Sequence, residues 1–359
     1  MEFGVFLLMQ SPSGRPSEEI YRRAVEIAQA ADDLGFAKLW VAEHHFLNYS
    51  YSSRPLMVLA NLAARTRRIR IGPAIIPLPL HNPLIVAEEL ATLDQLSGGR
   101  LEIGIGKGYQ KYQFDRLGLS MDEAPLRYSE GLDVLARALT GEEFDYEGSY
   151  YRIPTTRIFP QPLQQPIPLW MVVNTTLRET VADAVARGAH MFTGGLEPLS
   201  RLANVREAYP DIFEQALRPV RVGTQRQVFV TDSAAGAHRA AEEARWHARV
   251  SVSLRAQQEH IAQGIALAPP LPWEPSTEFV LDEYLVAGTP DRCISQLRRI
   301  ETGLGADSFN CSIWAGEMPQ DMVLRSLEMF AREVMPAFAQ APATGLSATA
   351  HAAAGSAGR

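Results

Sequence analysis

Short apolar runs and amphipathic stretches alternate along this chain almost from its first residue. Phe3–Met9 is nearly all apolar and reads as a buried strand. Ser17–Leu34 then sets Ile20, Ala24, Ile27, Ala31 and Leu34 on one helical stripe, with Ser17 as the expected N-cap and Gly35 as the stop. The alternation continues through strand Ala37–Ala42, helix Pro55–Arg65 and strand Ile69–Ile76. Asn82-Pro83, a capping residue followed by proline, opens a helix that runs to Leu96 and ends at Gly98-Gly99. Strand Leu101–Ile105 precedes a long loop and a helix over Arg127–Leu139. A hairpin at Phe144–Ile153 interrupts the pattern before strand Leu169–Val173, a helix near Arg178–Arg187 and strand Ala189–Thr193.

Beyond Pro198 the pattern is less regular. Gln227–Thr231 reads as a seventh strand, followed by an Ala-rich helical stretch, Ala234–Ile265, and a proline-rich loop, Ala268–Pro275. This region is too long for a βα connection, so an insertion at the barrel mouth is expected over about residues 200–275, after strand seven. Thr289-Pro290 opens a capped helix to about Ile300, Ser308–Trp314 is an eighth strand, and Gln320–Phe338 a final amphipathic helix. Eight βα units predict a (β/α)8 TIM barrel of the α/β class over residues 1–338. Ala339–Arg359, dominated by Ala, Gly, Ser and Thr, is expected to be a disordered tail.

Composition narrows the function classes. The 359 residues are 46% hydrophobic and 21% charged, an ordinary globular balance. A net charge of −7 recommends neither nucleic acid nor an anionic membrane as partner. No apolar run approaches the roughly 20 residues of a transmembrane helix. The N-terminus lacks a basic region and cleavage site, and Cys293 and Cys311 form no CxxC pair. A cytoplasmic protein is expected.

Candidate chemistry falls at strand ends, where a barrel holds its active site. Glu43-His44-His45-Phe46 follows the second strand. Two imidazoles and a carboxylate are costly to bury without a task, although a metal pair or a solvated loop would also use them. After the fourth strand, Gly104-Ile105-Gly106-Lys107-Gly108-Tyr109 alternates glycine with one cation. Such a turn lets backbone N–H groups approach a phosphate, or serves simply as a tight turn. Val173-Asn174-Thr175-Thr176-Leu177-Arg178 offers hydroxyls, helix N-terminal amides and an arginine to the same kind of group, or is only a capped helix start. Arg127 could reach that phosphate or remain a surface arginine. Gly72–Pro79 carries three prolines, Pro73, Pro77 and Pro79, and leads into His81-Asn82-Pro83, a stiffened mouth.

Taken together, these segments resemble the bacterial luciferase-like flavin monooxygenases. The carrying residues are Ala42–Phe46, His81-Asn82-Pro83, and Leu93-Asp94-Gln95-Leu96-Ser97-Gly98-Gly99-Arg100-Leu101 running into Gly104–Gly108. Ala287–Asp291 and Ser326–Ala331 are similar to the family's closing helices. The resemblance spans about Met1 to Phe338 and is weakest in the insertion.

The resemblance implies a two-component flavin-dependent monooxygenase. Such an enzyme takes reduced FMN from a separate reductase, a transient partner. It uses dioxygen to oxygenate a small organic substrate through a flavin 4a-hydroperoxide. His44 is the implied catalytic histidine, with Glu43 and His45 beside it, and no metal is implied. Gly106, Lys107, Gly108 and Arg127 are the implied FMN phosphate contacts, with Asn174, Thr175, Thr176 and Arg178. Lys107 stands where luciferases carry arginine, which keeps the charge and loses a bidentate fork. Luciferases place an acidic-serine pair after the strand that here ends at Val173. Ala74-Ile75 matches a non-proline cis peptide that lies against the isoalloxazine. A homodimer or heterodimer is implied through helices Pro55–Arg65 and Pro83–Leu96, with Leu56, Leu59, Ala60, Ala63, Ala87 and Leu90 as the expected face. A deazaflavin-dependent oxidoreductase and a non-catalytic flavin-binding protein are the alternatives on the same fold.

Overall fold

The computed structural model describes residues 1–339. Eight parallel strands make the barrel wall: β1 (Glu2–Leu7), β2 (Lys38–Val41), β3 (Arg70–Pro73), β4 (Ile103–Gly106), β5 (Leu169–Val172), β6 (His190–Phe192), β7 (Val222–Val230) and β8 (Ser308–Ser312). Hydrogen bonding runs β3-β2-β1-β8-β7-β6-β5-β4. A parallel bridge between Ile71 and Leu101 joins the two ends, and Ile76–Pro77 extends β3 along β4. The strands alternate with α1 (Ser17–Leu34), α2 (Pro55–Ala63), α3 (Pro83–Ser97), α4 (Ala124–Ala138), α5 (Arg178–Ala186), α6 (Ala234–Arg255), α7 (Pro290–Leu304) and α8 (Gln320–Met329).

The local signals explain most of these boundaries. Ile20, Ala24, Ile27 and Ala31 of α1 are fully buried, and Gly35 ends the helix at φ 85°. Asn82 caps α3 by accepting from the Leu84 and Ile85 N–H groups. Ser17 is instead the first helical residue of α1. Pro16 holds the cap position, with no side-chain bond.

Two tryptophans fill the barrel interior beneath the site. Trp40 and Trp170 meet edge to face at 5.8 Å. Trp40 Nε1 donates to Asn310 Oδ1 at 2.9 Å and Trp170 Nε1 to Glu102 Oε2 at 2.6 Å. Room for Trp40 comes from Gly72, where a Cβ would lie 2.3 Å from the Glu102 carbonyl oxygen and 2.5 Å from the Trp40 ring. Lys38, also buried, pairs with Glu102 at 2.9 Å and sits 4.2 Å from the Trp170 ring centroid. The interior is a packed plug, as in other barrels of this size.

The insertion differs from its expected bounds. Short helical turns over residues 199–214 lead to β7, which begins at Val222, ahead of the expected Gln227. The stretch from 200 to 221 is therefore the β6–β7 connection, and the insertion lies between Ala234 and Glu283. Its helix stops at Arg255 rather than Ile265, because Gln257 takes a left-handed φ of 59°. A small hairpin, Ile261–Ala262 with Ile265–Ala266, follows. Val286–Gly288 adds a short strand on the end of β7, too brief for sequence periodicity to reveal. The hairpin at Phe144–Glu147 and Arg152–Thr156 forms close to its expected place.

Helices α2 and α3 turn four of the six residues expected at a dimer face inward and leave Leu56 and Ala60 half-buried. Leu59, Ala63, Ala87 and Leu90 are buried in the barrel core, because small apolar residues at helical spacing serve helix-on-sheet packing equally well. Met57, Ile85 and Leu96 are the exposed apolar side chains of these helices. Among the described residues, no helix is long and apolar enough to cross a membrane. The expected tail, apart from Ala339, lies outside the described residues.

Candidate active site

A cavity of about 430 Å³ opens at the C-terminal ends of the strands, walled by their loops and covered by α6. Residues 42–45 leave the sheet where β2 ends and carry the Glu-His-His cluster to its wall. The His44 main-chain N–H donates to the Ser52 carbonyl at 3.1 Å. Its ring meets Tyr49 edge-on at 4.8 Å. Gln113 Nε2 donates to His44 Nδ1 at 3.2 Å, which leaves the ring proton on Nε2. Burial pushes the His44 pKa down to about 3, so the imidazole facing the cavity is neutral at neutral pH.

Glu43 supports this loop from behind. Its Oε1 accepts from His45 Nε2 at 2.8 Å and from His81 Nε2 at 2.5 Å. Burial opposes its ionisation, but the hydrogen bonds from the two histidines outweigh burial and hold the carboxyl below its ordinary range. The three side chains are close enough to share a metal ion. Each imidazole is nevertheless turned onto the carboxylate oxygen itself, so they already satisfy one another. Glu43 lines the cavity and His45 does not. His45 thus acts on the loop, at a remove from any ligand.

In the same cavity wall, the β3 and β4 ends form a slot. The Ala74–Ile75 peptide bond is cis, as the resemblance implies. A Cβ on Gly106 would lie 2.7 Å from Ile75 Cδ1 and 3.3 Å from Val172 Cγ2, so any side chain there would fill the slot. Gly108 turns the chain at φ 76°. Lys107 stands exposed at the rim between them. Among the described residues no carboxylate pairs with it.

The remaining expected phosphate contacts are not brought to the cavity lining. Arg127 Nε pairs with Glu123 at 2.9 Å, and its guanidinium covers the Tyr150 ring at 4.5 Å. Arg178 forks onto Asp211, Nη1 reaching Oδ1 at 3.2 Å. Asn174 Oδ1 accepts from the Thr176 N–H at 3.1 Å and hydroxyl at 2.8 Å, a local turn ahead of α5, whose cap position is Leu177 with no side-chain bond. Thr175 lies in the same turn. This turn follows β5, the strand next to β4, so it neighbours Lys107 on the rim without entering the cavity.

Several lining residues carry no signal that single-sequence reading could use. Tyr49 stacks on His247 at 5.3 Å with a 17° tilt, and burial raises its hydroxyl pKa. His247, Ser251 and Arg255 reach the cavity from α6. Their spacing of four was visible as a helical stripe, but nothing in sequence said which way it faces.

The family model for luciferase-like monooxygenases matches residues 1–308. The chain belongs to that family. It is 32% identical over 344 residues to the uncharacterized protein y4vJ of Sinorhizobium fredii, covering 94% of this chain and 97% of that one. It is 28% identical to the oxygenase component of flavin-dependent trigonelline monooxygenase from Acinetobacter baylyi, over 95% and 96% of the two chains. Monooxygenase RslO1 from Streptomyces bottropensis shares the fold, with a TM-score of 0.83 and 24% identity over 94% of this chain and 100% of that one. This luciferase-like chain is thus a member of an oxidoreductase family that holds both FMN-linked monooxygenases and F420-dependent enzymes.

Proposed function

We propose that this chain is the oxygenase of a two-component, reduced-FMN-dependent monooxygenase acting on a small organic substrate. One observation carries the reading: a neutral, half-buried His44 shares one cavity with a slot at Gly106, and the uncompensated Lys107 stands at the rim. The slot suits a planar ring, the lysine a phosphate, and the otherwise apolar cavity a site from which water must be kept.

Reduced FMN, when bound, supplies the electrons that activate dioxygen. The chain's own residues do the rest. Lys107 holds the phosphate, and the amides of Gly106–Gly108 and the Asn174–Thr176 turn offer further donors on the same rim. Arg127 and Arg178, each already on a carboxylate, contribute little. Ala74, Ile75 and Gly106 support the ring face. His44 Nε2–H donates a hydrogen bond into the cavity and can pass a proton to an oxygen there. Glu43, held by His45 and His81, keeps the His44 loop in place. The relatives named as monooxygenases, 25–30% identical over most of both chains, support an oxygenase reading, and a relative named as F420-dependent is matched nearly as fully. We also propose a cytoplasmic dimer, homo- or heteromeric, that meets its reductase only transiently, with exposed Met57 and Ile85 at the subunit contact.

The test is anaerobic titration of the protein with reduced FMN and with reduced F420, followed by mixing with labelled dioxygen and a substrate panel. Tighter binding of reduced FMN and label in a product are expected. Preference for reduced F420, or hydride transfer without oxygen incorporation, would overturn the reading.

A further inference from the structure

Helix α6 presents His247, Ser251 and Arg255 at successive intervals of four, one face of a helix, and all three line the cavity. None belongs to the strand-end loops that face the flavin slot. Their chemistry differs from the rest of the cavity wall.

The cations of that wall sort into two groups. Arg245 and Arg249 are neutralised by Glu242 and Glu274: Arg249 Nε lies 2.5 Å from Glu274 Oε1, and Arg245 Nε 3.1 Å from Glu242 Oε2. Arg226 donates to the Gly195 carbonyl at 2.7 Å but has no carboxylate at ion-pair distance, and its Nε and Nη2 find no partner among the described residues. Lys107 and Arg255 likewise stand unpaired. Among the described residues neither has a carboxylate within ion-pair distance. Arg255 does have a fixed seat, its guanidinium 4.1 Å from the Tyr109 ring centroid, a cation–π contact that leaves its N–H fork free.

His247 supplies the second, independent observation. It is half-buried, and its buried Nδ1 has no hydrogen-bond partner among the described residues. Burial, with Arg255 nearby, pushes its pKa down to about 4, so it stays neutral. A buried, unpaired ring nitrogen is costly unless a ligand completes it. Ser251 and the buried Tyr49, the latter stacked on His247, line the same cavity.

We propose that His247 and Arg255 select the substrate, and that it is a small planar organic acid. Arg255 takes the carboxylate through its free fork, and His247 hydrogen-bonds a hydroxyl or ring heteroatom at the other end. The two Cα positions are about 12 Å apart along the helix, a span that the long Arg255 side chain shortens to that of a single substituted ring. This assignment rests on the monooxygenase reading for the reaction but not for the binding.

The experiment is calorimetric titration of the full chain with matched pairs: 4-hydroxybenzoate against 4-hydroxybenzamide, nicotinate against nicotinamide, and indole-3-acetate against its amide. FMN affinity is measured in parallel. At least one acid is expected to bind tenfold or more tightly than its amide. Arg255→Met should weaken that acid by about 10- to 100-fold, the scale of one charge-assisted contact, while its amide and FMN stay within about twofold. Wild-type preference is read without any variant, so a misfolded variant does not decide the matter. Equal binding of acids and amides, or no binding of any acid, overturns the proposal. Loss of FMN rather than acid in Arg255→Met also overturns it and moves Arg255 to the flavin phosphate. An acid preference in a protein that fails to bind reduced FMN would instead sink the monooxygenase reading alone.

Discussion

Replacing Lys107 by methionine removes a charge while keeping most of the stem that packs at the rim. The ammonium has no carboxylate partner among the described residues, so nothing inside the protein is left unpaired by its loss. Any effect on a flavin is then the effect of its contact with the phosphate. A hydrogen bond to a charged group contributes about 1.5–3 kcal/mol. The side chain is exposed, and solvent screening places it at the lower end. FMN should therefore bind about tenfold more weakly, and riboflavin, which lacks the phosphate, within about twofold. Arg127 and Arg178 offer an internal comparison, since each must leave or share Glu123 or Asp211 to reach a ligand. Their methionine variants should change FMN affinity less than threefold, by roughly the scale of a surface ion pair. Fluorescence titration of oxidised FMN and riboflavin against the three variants, repeated at low and high salt, decides the order. Equal loss of both flavins in Lys107→Met, or a larger loss in Arg178→Met, would refute the phosphate assignment.

His44→Ala should leave FMN binding within a few-fold and lower product formation by about 10²-fold, the scale of one proton-handling group; unchanged turnover would remove His44 from the reaction. Because His44 titrates near 3, the wild-type rate profile should show no histidine ionisation from His44 between about pH 5 and 8. Glu43→Gln should cost about 2 kcal/mol at pH 7, measured by urea denaturation, the scale of buried hydrogen bonds to a charged acceptor. The carboxyl is held below the ordinary glutamate range, so its contribution is complete above that range and fades as pH falls through the folded value; a stability gap that widens in acid would contradict this. Gly72→Ala should destabilise by about 2 kcal/mol or more through its clash with a backbone oxygen and the Trp40 ring. Gly35→Ala, at positive φ but in open space, should cost only about 1 kcal/mol, so equal melting of the two would be the adverse result.

The barrel was legible because each βα unit announces itself locally. The stripe of α1, the Asn82-Pro83 start of α3 and the buried run of β1 all depend on near neighbours in sequence. Where pairing is long-range the reading failed: the first residues of β7, Val222–Arg226, are half polar and become a strand only because β8 and β6 flank them. The same limit applies at the site. Glu43, His44 and Lys107 could be placed from strand-end motifs. Arg127 and Arg178 could not, since their carboxylate partners are set by tertiary contacts. His81 was visible as part of a stiffened loop, yet its bond to Glu43 spans 38 positions. Residues of α6 gave helical periodicity without an azimuth, and only the packed structure shows which face looks into the cavity.

The tryptophan plug has a consequence for traffic. With Trp40, Trp170 and the Lys38–Glu102 pair sealing the barrel below, every molecule that reaches the strand tips must arrive from above and leave the same way. A ligand resting on Gly106 and Ile75 and one leaning on α6 would therefore share that approach, and the occupancy of one would bear on the entry of the other.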